Sequence, residues 1–251
     1  MIYKLHDMQI ISSCLIAKDT IEMVLFNHYV SENAEPGQFL YIRLENKTLR
    51  RPLSIADVDK DKGTITLLFK MVGNGTEQLG AMHENTKVHV HGPVGQGFPL
   101  KAAEHKHVLI VGGGIGVPPL YYLAKQLLAR DVRLTSVLGF QAKEYVFYED
   151  QFSALSDTHI VTDDGSYGYH GVVTDVTDKI ADVDAYYACG PLPMLKAIQS
   201  RHSDISGYLS LEERMGCGVG ACLACVVETR DGGYRKICKD GPVFSAEEVL
   251  L

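Results

Sequence analysis

At 251 residues, with 46% apolar side chains and no tryptophan, the chain is long enough for two cored domains and a small appendage. A formal charge of −7, with no lysine or arginine run longer than two, excludes a phosphate-backbone binder, which needs clustered positive charge. No uninterrupted apolar run approaches the ~18 residues that cross a bilayer, and the N-terminal MIYKLHDMQIISSCLIAK alternates too much, and lacks a small-residue cleavage site, for a signal peptide.

These features predict a cytoplasmic protein with neither nucleic acid nor membrane as partner. In that reducing compartment, closely spaced cysteines are metal ligands or redox centres more often than disulfides. The first hundred residues are rich in short strands. MQIISSCLIAKDTIEMVLF predicts two alternating strands around a turn at Lys18-Asp19. GQFLYIRLE, GTITLLFKMV and TKVHVHGPVGQGF continue the pattern, which predicts an antiparallel β-barrel over residues 1–101. From residue 107 apolar strands alternate with helices: HVLIVGGGIGVPPLYYLAKQLLAR, RLTSVLGF, EDQFSALS, THIVTDDGS, VTDVTDKIAD and DAYYACGPLPMLKAIQSRH. That alternation predicts a parallel sheet with crossover helices over residues 102–207. Residues 208–251 form a third segment rich in cysteine and glycine.

Three loops have the residue types that bind anions. In RRPLSIAD, expected as a proline-fixed turn at the end of a barrel strand, Arg51 offers a planar fork of donors and Ser54 a short hydroxyl. In LLFKMVGNGTEQL a strand ends in Gly73-Asn74-Gly75, and Thr76 is expected to cap a helix whose first N–H groups face outward. Alone, the first is an ordinary strand entry and the second an ordinary capped helix. VLIVGGGIGVPPL is more telling, because glycines between a buried strand and a helix let the backbone approach a pyrophosphate. Gly112 and Gly114 fit the start of G-x-G-x-x-G, but Val117 stands at the sixth position and Pro118-Pro119 open the helix. Cys189-Gly190-Pro191 ends a parallel strand, where such sheets bind ligands. Cys189 and Cys14 by themselves predict small buried side chains.

Cys217, Cys222 and Cys225 follow the spacing C-x4-C-x2-C, and Cys238 comes after twelve further residues. Zinc sites usually pair their ligands as two C-x2-C knuckles, and only one is present. The observed order is that of a plant-type [2Fe–2S] cluster. Gly216, Gly218 and Gly220 let the backbone wrap the sulfurs and aim N–H groups at them. Zinc remains the alternative for these four thiols.

Together the motifs resemble the ferredoxin-NADP(+) reductase superfamily, a flavin-binding barrel followed by a nicotinamide-binding α/β domain. RPLS stands at its flavin motif, GGGIGVPPL at its pyrophosphate loop and CGP at its nicotinamide side. The segment ERMGCGVGACLACVV…YRKICKDGPVF, with its short gap before Cys238, is similar to the electron transfer subunits of the type B, NAD-linked dihydroorotate dehydrogenases. The resemblance implies FAD against Arg51, Pro52, Leu53 and Ser54, then Leu68, Phe69 and Lys70, with Gly75 and Thr76 at its pyrophosphate. Leu53 replaces the tyrosine common in the superfamily, so an aliphatic flavin face is expected. It implies NAD+ at Gly112, Gly113, Gly114, Gly116, Gly190 and Pro191, with Cys189 a candidate beside the nicotinamide, and a cluster on Cys217, Cys222, Cys225 and Cys238. It also implies an FMN-containing catalytic subunit that oxidises dihydroorotate in pyrimidine (UMP) synthesis, two of each chain forming a heterotetramer. The alternative is the small subunit of an NADH-dependent ferredoxin:NADP oxidoreductase. A third reading is a redox-sensing or zinc-stabilised binding module on a reductase fold. After SVLGF the sequence has no arginine pair for a 2′-phosphate, only Lys143.

Overall fold

The computed structural model describes residues 4–100 and 106–251, so the expected division at 101/102 lies outside the described residues. Lys18 and Asp19 turn the chain between β1 (Leu5–Ala17) and β2 (Thr20–Phe26), as the alternation predicted. With β3 (Phe39–Arg43), β4 (Arg51–Asp59), β5 (Thr64–Lys70) and β6 (Lys87–Val94), these strands close a barrel in the order β1-β2-β5-β4-β3-β6. Closure removes the free edges that an open sheet would expose. Met8, Ile10, Met23, Leu25, Leu40 and Leu67 fill its interior without solvent exposure.

Two expectations change here, and one helix is new. Arg51 and Pro52 lie inside β4, opposite Ile42 and Tyr41, and not in a turn at a strand end. Proline is tolerated because β5 joins β4 only from Ile55 onward, leaving this stretch an edge. Cys14 is exposed, not buried. A bulge between Ile10 and Ser12 shifts the alternation of β1, so Ser13 opposes the interior residue Met23 while Cys14 opposes Glu22. The helix α1 (His28–Asn33) was not foreseen; the Asn27 side chain caps it by accepting from the Val30 amide at 3.0 Å. A second short helix, α2 (Asn74–Gly80), follows β5.

The second body begins with β7 (His107–Gly113), whose seven residues are all buried, as a strand covered on both faces requires. Then come α3 (Pro118–Leu128), β8 (Arg133–Phe140), α4 (Glu149–Ser153), β9 (Asp157–Thr162) and β10 (Tyr169–His170). They are followed by α5 (Val173–Thr177), β11 (Ala185–Cys189), α6 (Leu192–Arg201) and β12 (Ser206–Ser210). Pro118 and Pro119 take the first two positions of α3, where a missing N–H is harmless. The C-terminal segment adds a hairpin, β13 (Val226–Glu228) with β14 (Tyr234–Lys236), and then β15 (Val243–Ser245). The sheet order is β10-β9-β8-β7-β11-β12-β15, parallel except for β15 against β12. The expected division at 207/208 therefore falls within β12, and the cysteine segment returns a strand to the central sheet.

Side chains tie barrel and sheet together. Lys125 on α3 holds both carboxylate oxygens of Asp57, at 2.7 and 2.8 Å. Tyr148 donates to Glu22 at 2.5 Å, Tyr122 to the Ala34 carbonyl at 3.2 Å, and Tyr187 to the Pro99 carbonyl at 2.8 Å.

Candidate functional site

A cavity of about 980 Å³ opens at the C-terminal ends of the parallel strands. That edge is where α/β sheets bind ligands. Gly113, Gly114 and Gly116 line it from the β7 turn, Gly190 and Pro191 from the β11 turn, and Gly139 to Gln141 from β8. Gly114 takes a φ of 52° and has open space where a Cβ would stand. Gly116 is required for another reason, since a Cβ there would lie 2.3 Å from the Cys189 carbonyl oxygen. Gly112 lies behind the cavity, against Val117. The two turns thus meet backbone to backbone at the start of α3, whose N-terminus favours an anion.

Cys189 does not line this cavity, and its thiol is 1% exposed. Burial, with a further push from the Glu212 charge, holds the thiol well above its ordinary range. Glu212 lines the cavity together with Glu213 and Asp163. Glu212 is solvent-exposed, yet the surrounding protein desolvates its carboxyl and raises it above the usual carboxylate value. Lys70 is the only basic side chain among the described lining residues, and its Nζ stands 4.3 Å from the centre of the Tyr145 ring. Tyr145, Asp163 and Glu212 were missed by sequence reasoning. Each follows an element end that only the strand order brings to this edge.

The flavin-motif residues gather beside the cavity rather than in it. Arg51, Pro52, Leu53 and Ser54 are half-buried along β4. The Arg51 guanidinium lies over Gly75, where a Cβ would come within 2.5 Å of Nε. A donor fork above a bare backbone is a fitting cradle for a pyrophosphate. Leu68 and Phe69 are 2% and 1% exposed, Phe69 within the barrel core, so each presents backbone rather than side chain. Thr76 is not a cap: Gly73 is the N-cap of α2, and the Thr76 hydroxyl accepts from Val72 N and donates to Gly73 O, closing the turn.

The four predicted cysteines lie as two pairs, Cys217 with Cys222 and Cys225 with Cys238, and among the described residues no three of them converge into one ready metal site. Cys217 Sγ accepts from the Cys222 and Val219 amides at 3.3 and 3.5 Å, and Cys238 Sγ accepts from the Gly220 amide at 3.2 Å. Burial alone would raise the Cys217 thiol, but these N–H groups outweigh it and bring it down to about 6. Burial and the neighbouring Cys225 push Cys238 up to about 12. Thiols in two pairs, with amides aimed at their sulfurs, fit a binuclear iron–sulfur group.

A closed barrel beside a parallel sheet, with anion cradles on both, is the architecture of flavin- and nicotinamide-linked reductases. The cytochrome P450 reductase of Amycolatopsis shares the fold, with a TM-score of 0.68 at 20% identity over 81% of this chain and 67% of its own. An NADH-dependent reduced ferredoxin-NADP oxidoreductase is nearer, with a TM-score of 0.89 at 34% identity over 96% of this chain and 89% of its own. Residues 7–98 match the oxidoreductase FAD-binding domain, and residues 212–250 match the iron–sulfur cluster binding domain of dihydroorotate dehydrogenase B. The dihydroorotate dehydrogenase B (NAD(+)) electron transfer subunit of Shouchella clausii (strain KSM-K16) is 50% identical over 250 residues, 96% of each chain. That of Geobacillus kaustophilus (strain HTA426) is 50% identical over 251 residues, covering 97% of this chain and 98% of its own. The chain belongs to the family of dihydroorotate dehydrogenase B electron transfer subunits. It is an oxidoreductase subunit with an FAD-binding barrel and an iron–sulfur domain.

Proposed function

We propose that the chain passes electrons from the FMN of a dihydroorotate-oxidising partner, through a [2Fe–2S] cluster and FAD, to NAD+, in a cytoplasmic heterotetramer of two of each subunit serving pyrimidine synthesis. A flavin exchanges electron pairs with a nicotinamide and single electrons with a cluster, so FAD is the converter between the two. The chain's own part is to hold these groups in order. The observation that carries the reading is spatial continuity: the cysteine loop packs on β3, β3 pairs with the flavin-motif strand β4, and Lys70 on β5 lines the nucleotide cavity. Among the described residues no helix is long and apolar enough to cross a membrane.

We assign FAD to Arg51, Pro52, Leu53, Ser54, Leu68, Phe69, Lys70, Gly75 and Thr76. We assign NAD+ to Gly112, Gly113, Gly114, Gly116, Gly190 and Pro191, and the cluster to Cys217, Cys222, Cys225 and Cys238. Preference for NAD+ over its 2′-phosphate is supported by Asp163 in the cavity and by Lys143, whose Nζ is drawn over the Tyr167 ring at 5.3 Å. Cys189 serves packing on this reading, and Cys189→Ala is expected to retain NAD+ reduction; a tenfold loss of kcat/KM would place the thiol in the chemistry.

The deciding experiment is purification from the native host. A brown flavoprotein that carries an FMN subunit with it, and reduces NAD+ only when dihydroorotate is supplied, is the expected result. A co-purifying partner that reduces ferredoxin or NADP+ with NADH and does not oxidise dihydroorotate would overturn it in favour of the ferredoxin:NADP reading, which the 34% identical structure keeps in view.

A further inference from the structure

Tyr41 lies on β3 outside every motif so far described. It is 1% exposed, although its ring points away from the barrel interior: Leu40 and Ile42 fill the barrel, while Tyr41 packs with Met215, Cys225 and Cys238. Its hydroxyl stands 3.0 Å from both the Met215 and the Gly216 carbonyl oxygens, so a single O–H is shared between the two peptides that lead into Cys217. From the other side Gly218, at a φ of 69°, lies flat on the ring; a Cβ there would come within 2.5 Å of it. The loop therefore closes over Tyr41 with one hydrogen bond before the first cysteine and one glycine contact after it. At its backbone end, Tyr41 is the strand partner of Pro52 in the flavin motif.

We infer that Tyr41 is a positioning residue that fixes the cysteine loop against the flavin strand, and so sets both the orientation of the Gly216–Cys217 peptide and the separation of cluster and flavin. The inference rests on the cofactor reading above. The physical reason is that a carbonyl held by an O–H cannot rotate, so the amide on the same peptide keeps its direction beside the Cys217 sulfur. Outer partners of this kind tune a metal group through its ligands.

The test compares the full-length, cofactor-loaded protein with Tyr41→Phe, which keeps the ring and removes the hydroxyl, and with Gly218→Ala, which keeps the hydroxyl and forces the ring away. Three readouts are taken on each: iron release to a chelator, the electron paramagnetic resonance spectrum and potential of the reduced cluster, and the stopped-flow rate at which NADH-derived electrons reach the cluster. Tyr41→Phe is expected to release iron about 10–100-fold faster, the usual range for an outer partner, and to show a shifted spectrum and slower cluster reduction. Reduction of FAD by NADH should stay unchanged. Gly218→Ala should reproduce the slower cluster reduction with the hydroxyl still present. A Tyr41→Phe protein with wild-type iron release, spectrum and cluster reduction would overturn the inference while leaving the cofactor reading intact. Loss of thermal stability with an unaltered spectrum and transfer rate would reduce Tyr41 to packing and overturn it too. Wild-type protein that takes up no cluster would sink both readings.

Discussion

Arg51 reaches its cradle because residue 75 has no side chain. The guanidinium occupies the place a Cβ would take, so the fork remains over bare backbone. Losing a charge-assisted donor to a phosphate costs about 1.5–3 kcal/mol, so Arg51→Ala should bind FAD roughly 10–100-fold more weakly. Flavin retained on gel filtration at dilute concentration checks this, and unchanged retention would remove Arg51 from the site. Glu212 makes a different demand. Desolvation raises its carboxyl, so the folded form binds a proton more readily than the unfolded form. Stability is then fully present below the ordinary carboxylate value and falls as pH rises from there through the raised value. Glu212→Gln should abolish that fall and leave the protein without bound nucleotide more stable than wild type at neutral pH. Urea midpoints across a pH series provide the comparison, and parallel curves would disprove it.

At the scale of elements, the turn after β7 and the turn after β11 meet with no side chain between them. Gly116 sits at the contact, where a Cβ would stand 2.3 Å from the Cys189 carbonyl oxygen. The Gly116→Ala side chain has no flexible neighbour to displace, so α3 must shift off the sheet. An overpacking cost of about 2–3 kcal/mol is expected, together with loss of nucleotide binding, because the same helix end faces the cavity. A variant matching wild type in urea unfolding and NADH titration would contradict this. The glycine run was legible as a candidate ligand loop from its spacing. That Gly114 faces open space while Gly116 faces a second strand was not, since the β11 turn lies more than seventy residues away in sequence.

For the whole molecule, barrel and sheet share buried apolar clusters, Ala56 and Leu68 packing with α3 and Phe39 and Val94 with the sheet, and polar links add to them; together they place Lys70 of one body in the cavity of the other. The Lys125–Asp57 pair is partly shielded, with side chains 35% and 21% exposed. A double-mutant cycle on this pair should give a coupling of about 1 kcal/mol. The same variants should slow reduction of bound flavin by NADH, because the pair helps fix the bodies relative to each other. Coupling without any change in that rate would limit Lys125–Asp57 to stability.

By itself the sequence determined the elements and the chemistry of the loops. Alternation, glycine turns and cysteine spacing act over a few residues, and a short-range pattern carries them. It could also single out RPLS, GGGIG, CGP and the four cysteines as candidate sites, because each motif is contiguous or nearly so. It misplaced Cys14, for a bulge between Ile10 and Ser12 reverses the facing of the residues from Ser12 to Leu15. It gave Thr76 the role that Gly73 holds, since extended backbone at a glycine can start a helix as well as a hydroxyl can. Only the tertiary structure decided what meets at a distance: Arg51 over Gly75, Glu212 and Asp163 at the cavity, β15 returning to the sheet, and Tyr41 beneath the cysteine loop. Those contacts join residues up to 175 positions apart, where strand order and packing, not local propensity, set the neighbour.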